Sequence, residues 1–221
     1  MTLSLKSIEV TIQAAPILRG IDLDVGPGER VGLIGRNGAG KTTVIRTIMG
    51  LARPSAGSIH FDGQALAGIS PDRRAALGFG FMPEDRRLVP LLTVEENMLV
   101  PAWANRAIDA RRSLDLVYQL MPELLEMRER KALQLSGGQQ KLVALGRALV
   151  AGSRLLLLDE PFEGVAPALS QRISEVIANL QGEKRAILIA QSELNHANRL
   201  LDRQCLIERG EIVRSQYPAD G

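Results

Sequence analysis

Residues Gly35-Arg36-Asn37-Gly38-Ala39-Gly40-Lys41-Thr42 fit the pattern G-x-x-x-x-G-K-[ST], with Thr43 directly behind. Its glycines let consecutive backbone N–H groups turn inward around phosphate oxygens. A helix starting at Lys41 adds the partial positive charge of its N-terminus. In that arrangement Lys41 reaches the β- and γ-phosphates of a nucleotide, and the Thr42 hydroxyl binds Mg²⁺. A second element is Leu155-Leu156-Leu157-Leu158 followed by Asp159-Glu160. A buried strand there delivers two carboxylates to the sheet edge where α/β folds bind ligands. Asp159 would hold Mg²⁺ through water, and Glu160 would polarise an attacking water as general base. The third element is Leu135-Ser136-Gly137-Gly138-Gln139. Ser136 can cap the helix that follows, and the glycines leave its N-terminus open to an anion. Alone, the last two patterns are weak, because apolar strands often end in acids and Ser-Gly-Gly opens ordinary helices. Beside the phosphate loop they gain weight.

Alternating strands and helices would position these groups. Strands are expected over 3–11, 17–25, 31–34, 57–61, 78–82, 154–158 and 185–190, with a closing hairpin of 204–208 and 211–215 around Arg209-Gly210. Helices are expected over 41–51, 138–151, 167–180 and 193–201, with a short one opening at Pro71. From Thr93 to Lys131 the pattern is helical without a strand, and Thr93 with Glu96 makes a capping box. Strands alternating with helices indicate a parallel α/β sheet, with the helical block as an insertion.

The 221 residues, 45% hydrophobic and 24% charged, fit one soluble domain with an insertion. A net charge of +2 and 3% aromatic residues give no case for nucleic acid as a partner. One cysteine, Cys205, excludes an internal disulfide and is expected to pack in a strand. No stretch approaches the length of a membrane span, and the alternating N-terminus is not a signal peptide.

The three motifs, in this order around a helical insertion, resemble the ATP-binding subunit of an ABC transporter over essentially the whole chain. The resemblance implies a P-loop NTPase core of ABC type, a mixed sheet with an N-terminal antiparallel β part. Residues 1–92 and 136–221 would form that core, and 93–135 the helical subdomain. It implies ATP and Mg²⁺ as ligands, and a second ATPase chain paired head to tail. Each ATP would then touch the phosphate loop of one chain and Ser136, Gly137, Gly138 and Gln139 of the other. It further implies two transmembrane permease subunits, an extracytoplasmic substrate-binding protein acting indirectly, and a peripheral place on the cytoplasmic face of the plasma membrane. Pro83-Glu84-Asp85-Arg86-Arg87 with the run to Asn97, and Asp159 to Pro167, look like the branched-chain amino-acid importer ATPases. Urea and amide importers share much of this pattern. The short tail after Ser215 leaves no room for a regulatory domain.

Three positions depart from the wider pattern. The place of the adenine-stacking aromatic falls on Ile12, which predicts weaker binding or relaxed base preference. The loop into the helical subdomain carries Glu84 where Gln is usual, and Glu84 can still approach Mg²⁺. The γ-phosphate sensor, usually His, falls on Gln191, with His196 five residues on as a solvated helix residue. Ile12 and Gln191, in a chain that keeps Lys41, Asp159 and Glu160, predict a heterodimer whose partner retains the sensor. Trp103 is expected in the core, or else in a docking segment for the membrane partner. The pairs Arg73-Arg74, Arg86-Arg87 and Arg111-Arg112 are expected on solvated faces. Two other readings stay open: a soluble ABC ATPase outside transport, and a weakly hydrolysing regulatory subunit.

Overall fold

Two sheets share the chain in the computed structural model, which describes residues 2–180, 184–193 and 200–217. The first sheet is antiparallel and runs in the order β2-β1-β4-β5. Its strands are β1 (Leu3–Ile12), β2 (Ala15–Val25), β4 (Ala56–Phe61) and the two-residue β5 (Gln64–Ala65). The second runs β10-β9-β3-β8-β7-β6. It contains β3 (Arg30–Ile34), β6 (Phe79–Met82), β7 (Leu155–Asp159), β8 (Ala186–Gln191), β9 (Arg203–Glu208) and β10 (Glu211–Gln216). Its neighbours from β9 to β6 are parallel, and β10 closes as an antiparallel hairpin.

The parallel strands are buried on both faces, so β7 divides its leucines between two cores. Leu155 and Leu157 pack with β1, β2 and the helix α1 (Lys41–Ile48). Leu156 and Leu158 pack with α6 (Gly137–Ala151) and α7 (Pro167–Ala178). Registers bring the functional ends together: Met82 lies opposite Leu158, Asp159 opposite Ala190, and Ile34 opposite Gln191. The loops after β3, β6, β7 and β8 therefore open on one edge, the usual ligand edge of such a sheet.

The helical block contains three helices, α3 (Val94–Ala104), α4 (Ala110–Leu120) and α5 (Pro122–Glu126), with a 3₁₀ turn at Ala132–Gln134. The α3 capping box forms as expected, with Thr93 Oγ1 accepting from the Glu96 N–H and Glu96 accepting from the Thr93 N–H. The short α2 (Pro71–Ala76) carries Arg74, which corrects one expectation. Arg74 is buried, and its guanidinium donates to the carbonyls of Thr47, Ile48, Leu66 and Ile69. It thereby satisfies acceptors left over at the end of α1. Trp103 is a second correction: it is 57% exposed, not core. Cys205 is buried in β9 as expected. Most of the helix expected over 193–201, with His196, lies outside the described residues.

Candidate active site

The chain turns sharply out of β3 into the loop 35–40. Gly35 donates its N–H to the Gln191 carbonyl, and a side chain on Gly35 would collide with the Ile207 backbone. Gly40 has φ +111°, and a Cβ there would lie 2.8 Å from Leu18. Only glycine meets both demands. The loop leads into α1, whose buried second residue row anchors it through Val44, Ile45 and Ile48.

Lys41 is the first residue of that helix and is 4% exposed. Its ammonium donates to the carbonyls of Gly35 at 2.6 Å and Arg36 at 3.2 Å. It also pairs with Glu160 at 3.1 Å. Glu160 is 3% exposed and sits at φ +49°, just past β7. That backbone is costly for a non-glycine residue, about 1–3 kcal/mol, and persists only where the surroundings impose it.

Thr42 donates its hydroxyl to Asp159 Oδ1 at 3.2 Å. Asp159 is 1% exposed, and its Oδ2 is buried with no hydrogen-bond partner. Burial first, then the charges of Glu160 and Glu84, push its carboxyl up to about 6, against the pull of Thr42 and Lys41. Thr42, Asp159 and Glu84 line one cavity of about 230 Å³. A hard cation would relieve the orphaned oxygen and the crowded negative charge, so these three residues fit Mg²⁺. Among the described residues no group of three His, Cys, Asp or Glu side chains forms a metal site, so phosphate oxygens and water would complete the shell.

The loop that carries Glu84 is pinned from several sides. Arg86 and Arg87 both have positive φ, and Arg147 on α6 donates to both of their carbonyls. Arg86 donates to the Gly137 carbonyl and to Gln140 Oε1, each at 3.2 Å. It is therefore a strut between the Glu84 loop and the Ser136 motif, not a free surface charge. Buried Asn97 accepts from Val89 and donates to the Val89 and Leu92 carbonyls, fixing the far end.

Ser136 caps α6, accepting from the Gln139 N–H at 3.3 Å, while Gln139 Oε1 accepts from the Ser136 N–H. Ser136 and Gly137 are exposed, and Gly137 lines a cavity with Glu84 and Arg86. The structure thus gathers Gly35, Arg36, Asn37, Lys41, Thr42, Glu84, Asp159 and Glu160 on one edge and leaves Ser136 and Gly137 exposed. Ile12, at the end of β1, is 47% exposed and has no aromatic to replace it in that strand pair.

Gln191 does not reach Lys41. It is still the last residue of β8, and its Oε1 lies 3.5 Å from the Phe162 N–H. The next residue, Ser192, is the one that reaches Lys41. Its hydroxyl meets Lys41, Asn37 and Glu160 at 3.1, 2.6 and 2.5 Å. The sequence reading ended β8 one residue early. Parallel pairing of Gln191 with Ile34 is the signal it lacked.

A family model described as "ABC transporter" matches residues 18–163. The chain is 38% identical over 196 residues to the high-affinity branched-chain amino acid transport ATP-binding protein BraG of Pseudomonas aeruginosa. That match covers 89% of this chain and 84% of BraG. It is 28% identical to the lipopolysaccharide export system ATP-binding protein LptB of Escherichia coli, over 99% of this chain and 92% of LptB. Among solved structures, the dimeric bacterial ABC transporter cassette MJ0796 superposes with a TM-score of 0.86 at 26% identity, covering 99% of this chain and all of that one. A post-hydrolysis state of the same cassette, bound to ADP and Pi, gives 0.86 at 25% identity, again over 99% and 100%. Motifs, fold and matches agree, and the chain belongs to the ABC transporter family as an ATP-binding, ATP-hydrolysing cassette.

Proposed function

We propose that this chain powers an importer of branched-chain or other small amino acids or amides. The observation that carries the reading is the 38% identity to BraG, a branched-chain amino acid transport protein, against 28% to the export protein LptB. The chain would sit at the cytoplasmic face of the plasma membrane, held by two permease subunits and fed by an extracytoplasmic binding protein. Among the described residues no helix is long and apolar enough to cross a membrane itself. Residues 93–135 would act as the helical subdomain, and exposed Trp103 on α3 offers an apolar contact for a permease helix.

In the reaction, the Lys41 ammonium leaves the Gly35 and Arg36 carbonyls and Glu160 for the β- and γ-phosphates of ATP. The N–H groups of residues 38–43 surround those phosphates from the start of α1. Glu160, released from Lys41, takes the proton of the attacking water. Mg²⁺, held by Thr42 and Asp159 and attracted by the Glu84 charge beside them, would neutralise charge on the phosphate oxygens. Ser136, Gly137, Gly138 and Gln139 would meet the ATP of a second chain across a head-to-tail dimer. Ile12 in place of an aromatic, and no imidazole at 191 or 192, favour a different ATPase chain as that partner.

Capture of the tagged chain from gently solubilised membranes, followed by reconstitution of what comes along, tests this. Two permease proteins, a second ATPase and ATP-dependent uptake of labelled leucine or valine are expected. Recovery of the chain alone, or a complex that moves no amino acid or amide, overturns the reading.

A further inference from the structure

Ser192 belongs to none of the sequence motifs, yet it contacts three groups of the site. Its hydroxyl oxygen lies 2.5 Å from Glu160 Oε1, 2.6 Å from the Asn37 amide and 3.1 Å from the Lys41 ammonium. Its backbone N–H donates to the other carboxylate oxygen, Glu160 Oε2, at 3.0 Å. A hydroxyl has one hydrogen to give. Lys41 donates to its oxygen, and its own hydrogen goes to the carboxylate, a stronger acceptor than an amide carbonyl. Asn37 then meets it with the amide nitrogen, since a half turn exchanges the two ends of that side chain. Ser192 therefore grips both oxygens of Glu160.

Among the described residues, three interactions hold the Glu160 carboxylate: the Lys41 ion pair, the Ser192 hydroxyl and the Ser192 N–H. The first is lost when Lys41 moves to phosphate. The backbone of Glu160 is in a left-handed turn, with its N–H donated to the Ala190 carbonyl of β8 at 2.9 Å. What remains to aim the carboxylate is Ser192. Once the cation has gone, a side chain without that hydroxyl leaves Oε1 free to rotate.

We propose that Ser192 is the positioning residue for Glu160, fixing both carboxylate oxygens once Lys41 has turned to the nucleotide. This rests on Glu160 being the base and does not depend on what is transported. In place of an imidazole, the chain then uses a hydroxyl and a backbone N–H to order its catalytic carboxylate. The same contacts link Lys41, Glu160, Ser192 and Asn37 in one hydrogen-bonded cluster.

The test compares wild type, Ser192→Ala, Ser192→Thr, Glu160→Gln and the double variant Ser192→Ala/Glu160→Gln, each in complex with the membrane partners. Steady-state kcat and KM for ATP are measured, with binding of a fluorescent ATP analogue. Ser192→Ala is expected to lower kcat about 10-fold with KM within about 3-fold, since the N–H contact survives. Ser192→Thr, which keeps the hydroxyl, restores turnover to within about 3-fold of wild type. In the Glu160→Gln background, Ser192→Ala changes nothing further, as two residues acting through one group are not additive. A full additional loss in that background overturns the proposal. So does an unchanged kcat, or a higher KM at constant kcat, which would place Ser192 on nucleotide binding. Should Ser192→Ala not fold, Ser192→Cys carries the same comparison. Wild-type turnover in Glu160→Gln overturns the base assignment itself, and is told apart from failure of the Ser192 proposal by that single variant.

Discussion

Asp159 and Glu160 leave β7 side by side and enter two unlike corners. Glu160 turns toward the end of β8, where Lys41 and Ser192 satisfy both of its oxygens. Asp159 turns toward the end of β6, where Thr42 serves one oxygen and the other is buried without a partner. One carboxylate has a partner on each oxygen and the other does not. Burial of charge explains why both arrangements persist. Burial raises the Asp159 carboxyl, and the charges of Glu160 and Glu84 raise it further. ATP with a divalent cation would reverse the two, taking Lys41 from the first corner and filling the second.

The largest effect should come from breaking the complete corner. Glu160→Gln is expected to lower turnover by about 10²–10⁴-fold, the range of general-base removal, while ATP binding is kept. Loss of the carboxylate also frees Lys41 from its ion pair, so affinity for ATP should hold or rise. Turnover against equilibrium binding checks both parts, and a loss below about 10-fold would remove Glu160 from the chemistry.

The incomplete corner predicts a gain in stability for a loss in function. The Asp159 carboxyl is raised from 3.8 to about 6 in the fold, chiefly by burial. Between those values the folded chain binds more protons than the unfolded one, so stability falls as pH rises from about 4 to 6. The cost, on the order of 3 kcal/mol, then persists at neutral pH. Asp159→Asn should raise the melting temperature of the metal-free chain by several degrees at pH 7.5 and leave it unchanged near pH 4. An equal gain at both values would trace it to packing rather than to buried charge. With ATP and Mg²⁺ present the order should invert, since the variant has lost a ligand.

A third substitution asks whether the two corners hold ATP by its phosphates alone. Ile12→Tyr supplies the missing stack, worth about 1–3 kcal/mol in base–aromatic systems. It should lower KM for ATP about 5–10-fold and leave inhibition by tripolyphosphate unchanged. A parallel change for tripolyphosphate would show that residue 12 acts on the loop and not on the base.

Much of both corners is legible in local sequence. Lys41, Thr42, Asp159 and Glu160 sit in patterns whose spacing dictates a strand, a turn and a helix start, and the structure gathers them. Ser192 is not legible, because β8 is buried along its whole length and shows no alternation to mark its end. Arg74 looked like half of a charged surface pair. Its burial depends on carbonyls left over at the end of α1, which sit 26 and 27 residues away in the chain. Long-range polar satisfaction of this kind leaves no trace in periodicity.

Glu84 should give the smallest effect, and its sign is informative. It is exposed, and its influence reaches Asp159 as a like charge rather than through a hydrogen bond. Glu84→Gln removes one negative charge from the cation corner, which weakens attraction for Mg²⁺. The same change relieves Asp159, whose carboxyl should then fall toward the ordinary range and carry more charge at neutral pH. The two effects oppose each other, and solvent screens both. The Mg²⁺ concentration giving half-maximal ATPase should therefore rise only about 2–3-fold, with kcat close to wild type. A shift beyond about 10-fold would mean that Glu84 ligates the ion directly. The second corner would then be built from both β6 and β7, and its cavity would be a preformed cation seat waiting only for phosphate.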